Sequence, residues 1–321
     1  MNTLILPRIL NKSRISNNYI YQLILECETV EVIFVPLTTN RVNGYILTNL
    51  SDPILITPTK QWSEISNYDK VLYLKNLNDY QNIEECIDKD FIWLKHPLLN
   101  QEYTLTEINN SWENSLTLKK ENRERGIKGL RRPQIGAIYA TLGHWEVSNE
   151  TATLVMPTGT GKTETMLSLL LMGNIEKLLV IVPTDALRKQ VSDKFIDFGI
   201  LHKVLELLNE NTLYPKVGVL KSKLSTSEEI EEFFNRSNVI ISTAQIVTGM
   251  LLDLQQCIAN KCSHLFIDEA HHVGATTWKS FKKEFSSKKI LQFTATPFRN
   301  DNKSLDGKII FNYPLSKAQD E

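Results

Sequence analysis

The stretch MPTGTGKT, residues 156–163, combines the residue types that bind phosphate groups. Gly159 and Gly161 allow the backbone to approach an anion closely, because glycine has no side chain. Backbone N–H groups at the start of a helix point toward such an anion, and Lys162 adds a positive charge while Thr163 offers a hydroxyl to Mg²⁺. The predicted ATP-binding loop consists of Pro157, Thr158, Gly159, Thr160, Gly161, Lys162 and Thr163. Met156 occupies the place of the first glycine of the usual pattern.

A second stretch, HLFIDEAHH at residues 264–272, ends an apolar run with two carboxylates. If the run is a strand of a parallel sheet, Asp268 and Glu269 lie at the same sheet edge as the phosphate loop. Asp268 then suits Mg²⁺, held through the water shell of the ion, and Glu269 suits the activation of a water molecule. Lys162, Asp268 and Glu269 are therefore the predicted catalytic residues. The alternative interpretation of the two carboxylates is an exposed acidic turn.

The elements that must position these residues are predicted from about residue 129 onward. Apolar runs that end in loops alternate there with helical stretches, for example KLLVIV followed by DALRKQVSDKF. Such alternation is typical of an α/β fold in which helices cover both faces of a parallel sheet.

The preceding residues have a different pattern. Residues 1–110 contain short β-branched and aromatic runs between turn residues, which predict a small β-rich or α+β domain of unknown role. It shows no nuclease signature, such as an acidic residue followed by Glu-x-Lys on a strand. Residues 111–128 are charged and predict a helical linker.

Composition sets the broad class. The 321 residues are 42% hydrophobic with a net charge of −1, enough apolar content for buried cores. Residues 111–134 carry seven Lys or Arg against three Asp or Glu. Such a basic segment is usually a solvated helix face, and contact with nucleic acid is the less common alternative. Four cysteines without paired spacing, together with no signal peptide and no membrane-length apolar run, favour a reduced cytoplasmic protein.

Three motifs in order, MPTGTGKT, DEAH (268–271) and TATP (294–297), resemble the first lobe of superfamily 2 helicases and translocases of the DEAD/DEAH-box type. Within that superfamily the sequence is most similar to restriction-enzyme motor subunits and to bacterial anti-phage defence helicases of the Hachiman type. The resemblance covers residues 129–316 and implies a RecA-like P-loop fold that hydrolyses ATP with Mg²⁺. It also implies a nucleic-acid partner, with DNA favoured over RNA, and a role in restriction or phage defence.

The resemblance assigns roles to further residues. In GLRRPQ (129–134), Gln134 would contact the adenine edge, since an amide can donate and accept at once. The alternative is a surface glutamine that opens a helix. In TATP, Thr294 and Thr296 would hydrogen-bond toward the DEAH loop, where His271 would couple nucleotide state to the grip on nucleic acid.

Two threonines are the expected nucleic-acid contacts. Thr184 in VPTDALRKQ and Thr243 in ISTAQ match motifs that touch backbone phosphates in the resembled family. Hydroxyls at helix starts suit that task because phosphate contacts position a strand without reading its sequence. Both could instead be ordinary helix caps.

In the resembled family ATP lies between two lobes, and the second supplies arginines to the transferring phosphate. Residues 317–321 look like the lead-in to that second lobe, so we expect a fragment that needs the lobe in cis or from a partner protein. Slow ATP hydrolysis would follow. The rival interpretation is an ATP-responsive switch that binds nucleic acid and remodels a partner without translocating.

Overall fold

A computed structural model describes residues 2–74, 91–269, 276–296 and 307–319. Within those ranges the strands, in chain order, are β1 (Asn2–Leu6), β2 (Ile9–Ile15), β3 (Asn18–Leu25), β4 (Glu28–Thr39), β5 (Val42–Thr48), β6 (Ile54–Thr57), β7 (Lys70–Leu74), β8 (Phe91–Lys95), β9 (Ala152–Val155), β10 (Leu178–Val182), β11 (Lys216–Val219), β12 (Val239–Thr243), β13 (His264–Ile267), β14 (Lys289–Thr294) and β15 (Lys308–Asn312). The helices are α1 (Leu105–Ser111), α2 (Arg132–Val147), α3 (Lys162–Met172), α4 (Asp185–Asp197), α5 (Ser227–Asn235), α6 (Ala244–Thr248), α7 (Leu252–Lys261), α8 (Thr276–Glu284) and α9 (Leu315–Gln319), with a 3₁₀ helix at Ser63–Asn67. All described helices are too short or too polar to cross a membrane.

The chain divides into two compact units. Unit 1 comprises Met1–Asn11 and Leu23–Tyr103, and unit 2 comprises Lys12–Gln22 and Thr104–Glu321. The sequence predicts an accessory domain over 1–110, a linker over 111–128 and a lobe over 129–316, and in the structure the segment 12–22 belongs to unit 2.

Unit 1 is built on a six-stranded sheet in the order β1-β4-β5-β6-β7-β8. Neighbouring strands are antiparallel except for β6 and β7, which are parallel. Its core contains fully buried side chains such as Val32, Leu47 and Leu72. The β-rich pattern of the first 110 residues is thus found in the structure.

Unit 2 is built on a nine-stranded sheet in the order β15-β9-β14-β13-β10-β12-β11-β3-β2. The seven strands from β15 to β11 run parallel. Every residue of β9, β10 and β12 is buried, as expected for strands covered on both faces. This is the predicted α/β architecture of a RecA-like lobe.

Two layers of helices cover this sheet. Leu179 and Ile181 of β10 belong to a core cluster that includes side chains of α5, α6, α7 and α8. Because neighbouring residues of a strand point to opposite faces, Val180 faces the other layer, where α4 packs on β10, β11 and β12. The parallel strands are therefore fixed from both sides, which holds the loops at their carboxyl ends in place.

The segment between α1 and α2, residues 112–131, is not the expected helix. Asn122 and Ile127 exchange backbone hydrogen bonds of 2.9 and 2.8 Å, and Gly126 between them has a φ of 63°. The prediction of a helical linker over 111–128 is wrong, because a glycine in the left-handed region favours a turn over a helix. The basic residues of this segment lie on that loop.

Candidate nucleotide site

One edge of the unit 2 sheet collects the predicted site residues. The carboxyl ends of parallel strands meet there, which is where ligands bind in open α/β sheets. The phosphate loop follows β9, Thr184 follows β10, Thr243 ends β12, Asp268 follows β13 and Thr294 ends β14. Residues separated by more than a hundred positions in the sequence are thereby brought to one edge.

The phosphate loop depends on its two glycines. Gly159 and Gly161 have φ angles of 84° and 89°, a region that side-chain-bearing residues rarely adopt. A Cβ atom on Gly161 would lie 2.0 Å from Nε2 of Gln134, whereas one on Gly159 would meet nothing within 4 Å. Within the loop, the Thr160 hydroxyl donates a hydrogen bond to the carbonyl oxygen of Pro157 at 2.6 Å. The exposed side of the loop at Gly159 is open to a ligand.

The lysine of the loop contacts one of the two carboxylates of the DEAH motif. Lys162 Nζ donates to Glu269 Oε1 in an ion pair whose side chains are 10% and 16% exposed. Glu269 has a φ of 49°, and its N–H donates to Asp268 Oδ1 at 3.0 Å. The alternative of an exposed acidic turn is wrong for Asp268, which exposes only 6% of its surface. The three residues predicted to be catalytic therefore lie together.

Burial shapes the chemistry of Asp268. Removal from water raises the pKa of this carboxyl to about 6, against the opposing effect of the Lys162 charge and with a further rise from Glu269. Its backbone N–H donates to the Ile181 carbonyl oxygen at 2.8 Å, which ties the loop to β10. A buried, positioned carboxylate suits a cation, because the charge of the ion would replace the lost solvation.

The start of α2 contacts the phosphate loop from the side. Gln134 is 2% exposed and accepts the Arg131 backbone N–H at 2.7 Å, while its Nε2 lies 3.5 Å from the Gly161 carbonyl oxygen. Gln134 lies in the first turn of α2, as in the alternative interpretation, but it is buried and is not a surface residue. The Arg131 guanidinium donates to the Gly159 carbonyl oxygen at 2.8 Å. Sequence reasoning missed Arg131, although it lies within the quoted GLRRPQ motif.

A cavity of about 360 Å³ lies next to this arginine. It is lined by Lys120, Glu121, Asn122, Arg123, Glu124, Arg131 and Arg132. Four of these residues are cationic, and the cavity is continuous with a residue that touches the phosphate loop. Arg131 therefore lines this cavity and also contacts the phosphate loop.

The two threonines expected to contact nucleic acid differ in the structure. Thr184 is exposed and caps α4, where its hydroxyl accepts the Leu187 N–H at 3.3 Å. Thr243 precedes α6 without a capping side-chain hydrogen bond and exposes only 6% of its surface. Both are at the carboxyl edge, and Thr184 is the one whose side chain faces solvent.

The TATP motif connects to the phosphate loop. The Met156 N–H donates to the Thr294 carbonyl oxygen at 2.8 Å, and the Thr294 hydroxyl donates to the Thr296 carbonyl oxygen at 2.7 Å. His271 lies outside the described residues, as does the last residue of the motif, Pro297. A backbone hydrogen bond therefore connects the end of β14 to Met156, the residue before the phosphate loop.

Comparison with known protein families assigns the chain to one of them. The sequence model of the family described as type III restriction enzyme, res subunit, matches residues 127–299, more than half of the chain. No match was found among curated proteins.

Solved structures with some likeness include helicases and a restriction enzyme. The chain is 22% identical to the Hef helicase domain of Pyrococcus furiosus (TM-score 0.33) over 50% of this chain and 33% of that one. It is 22% identical to a hypothetical ATP-dependent RNA helicase from Sulfolobus tokodaii (TM-score 0.37) over 60% and 51%. It is 18% identical to a nuclease-deletion mutant of the type ISP restriction-modification enzyme LlaGI in complex with a DNA substrate mimic (TM-score 0.41) over 60% and 20%. The chain thus spans a fifth to a half of the length of these three.

The family match covers the phosphate loop, the two DEAH carboxylates and the TATP motif that the fold brings to one sheet edge. The chain belongs to the type III restriction enzyme res-subunit family, and its unit 2 contains the RecA-like lobe of a superfamily 2 helicase.

Proposed function

We propose that the carboxyl edge of the unit 2 sheet binds ATP with Mg²⁺ and that this lobe drives a helicase or translocase that acts on DNA. The family relationship supports an ATP-dependent helicase or translocase domain. DNA is favoured over RNA because the family is described as a restriction enzyme, and restriction or phage defence in the cytoplasm is the corresponding biological role. Unit 1 would then be an accessory domain of the motor.

The residues present fit the nucleotide and its metal ion. The phosphate loop is open at Gly159 and carries the positive end of α3, and Thr163 stands at the first turn of that helix with its side chain partly exposed. Asp268 offers a carboxylate that is 6% exposed at the same sheet edge. Bound Mg²⁺ would neutralise charge on the phosphates. Thr163 and Asp268 would hold it, and the loop from Pro157 to Thr163 would hold the phosphates.

The observation that carries the proposal is the ion pair between Lys162 and Glu269. It brings the phosphate-binding lysine within hydrogen-bonding distance of the predicted general base, although 107 residues separate them. Lys162 would exchange this carboxylate for phosphate oxygens, and Glu269 would then be released to accept a proton from water. Gln134 and Arg131 would keep the loop in its open shape, with Gln134 as the candidate adenine contact.

Nucleic acid would lie along the same sheet edge. The exposed Thr184 at the start of α4 and Thr243 at the start of α6 follow strands of the same sheet as the ATP site. In this proposal Thr294, Thr296 and His271 couple the two sites, since the TATP segment is bonded to the first residue of the MPTGTGKT stretch.

The test is ATP hydrolysis by the purified chain, measured alone and with single-stranded DNA, duplex DNA and the matching RNAs. A motor predicts turnover that rises steeply with nucleic acid, and most with DNA. The Glu269→Gln variant measures the background. Turnover that does not respond to any nucleic acid would favour the ATP-responsive switch, and no turnover above the variant would contradict the proposal.

A further inference from the structure

The segment 12–22 adds a hairpin to the edge of the unit 2 sheet. Tyr19 pairs with Val219 and Tyr21 with Val217, so this part of β3 lies antiparallel to β11. Ile20 alternates with the two tyrosines and belongs to the core on one face. The tyrosines lie on the other face, partly buried and stacked with ring centroids 6.1 Å apart at 28°.

Three cations surround these rings. Lys12 Nζ lies 4.4 Å from the Tyr19 centroid and 5.7 Å from that of Tyr21, Lys221 Nζ lies 4.9 Å from Tyr19, and the Arg14 guanidinium carbon lies 5.9 Å from Tyr19. We call these five residues, Lys12, Arg14, Tyr19, Tyr21 and Lys221, the hairpin platform. All three cations are exposed, and in the described part of the chain none of them forms an ion pair with a carboxylate.

The platform is held by buried hydrogen bonds. Asn18 is fully buried, and its Oδ1 accepts the Lys221 N–H at 2.7 Å and the Ser222 N–H at 3.0 Å. The loop after β11 is thereby fixed to the hairpin, and Lys221 stays beside Tyr19. Because this loop follows the carboxyl end of β11, the platform lies at the sheet edge that carries the nucleotide site and Thr184.

The chemistry of the platform fits a nucleic-acid strand. Three positive charges gathered around one ring repel each other, and an anion that contacts all three removes that repulsion. Single strands are bound by cations that follow the phosphates together with aromatic rings that meet unpaired bases. Duplex DNA offers the same phosphates but keeps its bases stacked inside, so the tyrosines favour the single strand.

We propose that the hairpin platform binds single-stranded nucleic acid and extends the interface of the motor beyond β11 to the outer edge of its sheet. This inference rests on the proposed function, because it assumes that the same sheet edge carries nucleic acid. The contrasting account is that the cations only fasten the hairpin to the sheet through their contacts with the tyrosines.

The test is the salt dependence of binding to a fluorescein-labelled dT20, followed by fluorescence anisotropy. Each phosphate contact to a single strand contributes about 0.7 to the slope of log K against log salt. The slope of the variant Lys12→Gln/Arg14→Gln/Lys221→Gln should therefore be shallower than the wild-type slope by about 2. The matched control removes three cations from α8 and the turn after it, Lys279→Gln/Lys283→Gln/Lys288→Gln, and should keep the wild-type slope.

The outcomes separate this inference from the proposed function. If the wild-type chain binds dT20 and the platform variant keeps the full slope, the platform is not part of the interface, while the proposed function stands. If the wild-type chain binds neither dT20 nor a duplex of the same length, the proposed function fails first. An equal loss for dT20 and duplex would show contact with phosphates alone and overturn the preference for single strands.

A second measurement does not depend on the folding of the triple variant. Acetylation of surface lysines in the wild-type chain, read by mass spectrometry, should fall severalfold at Lys12 and Lys221 when dT20 is bound, with Lys279 unaffected. In addition, Tyr19→Phe should keep dT20 affinity and Tyr19→Leu should lower it severalfold, because base stacking on a ring is lost. Unchanged acetylation at both platform lysines would contradict the proposal.

Discussion

The ion pair between Lys162 and Glu269 leads to an unusual expectation for one variant. In Glu269→Gln the side chain keeps its shape and can still accept a hydrogen bond from Lys162. The glutamine lacks the negative charge with which Glu269 holds Lys162 and would repel the phosphates of ATP. We expect this variant to bind ATP more tightly than the wild-type chain and to hydrolyse it far more slowly.

The size of both effects can be worked out from the contact. A hydrogen bond to a charged group contributes about 1.5–3 kcal/mol, and a neutral one about 0.5–1.5 kcal/mol. Release of Lys162 should therefore cost roughly 1 kcal/mol less in the variant, which corresponds to about fivefold tighter ATP binding. Loss of the general base should lower kcat by about 10²–10⁴-fold.

The assay is titration calorimetry with ATP and Mg²⁺ for affinity and phosphate release for turnover. Glu232→Gln is the matched control, since Glu232 pairs with Arg236 at 3.3 Å on the exposed face of α5 and should affect neither quantity. Unchanged ATP affinity in Glu269→Gln would show that the ion pair does not compete with the nucleotide. Normal turnover would refute the assignment of Glu269 as the base.

Three further variants test other parts of the account. Gly161→Ala should lower the free energy of unfolding by at least about 1 kcal/mol and weaken ATP binding, because Gly161 has a φ of 89° and Gln134 fills the Cβ position. Thermal denaturation measures the loss of stability. Gly143→Ala in α2 is the control, because nothing lies within 4 Å of a Cβ atom there. Burial and the Lys289 charge lower the pKa of His264 from 6.5 to about 4, so the unfolded chain takes up more protons and stability falls as the pH drops through that interval. At pH 5 the loss should be about 2 kcal/mol, and urea unfolding of His264→Leu should lack it. Thr184→Ala should lower the free energy of unfolding by about 0.5–2 kcal/mol, because the α4 cap is lost, and Thr184→Ser should leave it unchanged. Loss of DNA affinity in Thr184→Ala with no change in stability would contradict the capping role.

Much of the RecA-like lobe could be predicted from local pattern. The run LLVIV is apolar throughout and VIIST begins with three apolar residues, which is typical of strands buried on both faces, and both are strands of the sheet. The motifs after such runs had to converge, because parallel strands share a carboxyl edge. That rule predicts that Lys162, Asp268 and Glu269 lie at one sheet edge, and the structure adds the ion pair between Lys162 and Glu269.

The partners of the N-terminal strand could not be predicted in the same way. The run YIYQLILE, residues 19–26, lies within the stretch 1–110 that the sequence assigns to a separate β-rich domain. In the structure Tyr19 and Tyr21 pair with β11, about two hundred residues away. Strand pattern indicates which face is buried, but the choice of neighbour depends on contacts between distant parts of the chain. Asn18, which fixes the loop after β11, has no signal of its own in the sequence.

The prediction of a helical linker over residues 111–128 was wrong because of two glycines that are present in the sequence. The stretch KKENRERG is rich in helix-forming charged residues, which favoured a helix. Gly126 and Gly129 argue against one, since the first adopts a φ of 63° and a Cβ on the second would lie 2.3 Å from the Lys119 carbonyl oxygen. Two glycines within four residues outweighed the propensity of the charged residues.

The central claim is that ATP replaces Glu269 as the partner of Lys162 at the carboxyl edge of the sheet. The most direct measurement is a crystal structure of the Glu269→Gln variant with ATP and Mg²⁺. The account predicts phosphate oxygens within hydrogen-bonding distance of Lys162 Nζ and the backbone of residues 157–163, with Mg²⁺ beside the Thr163 hydroxyl and Asp268. A nucleotide bound elsewhere, with Lys162 still paired to residue 269, would contradict it.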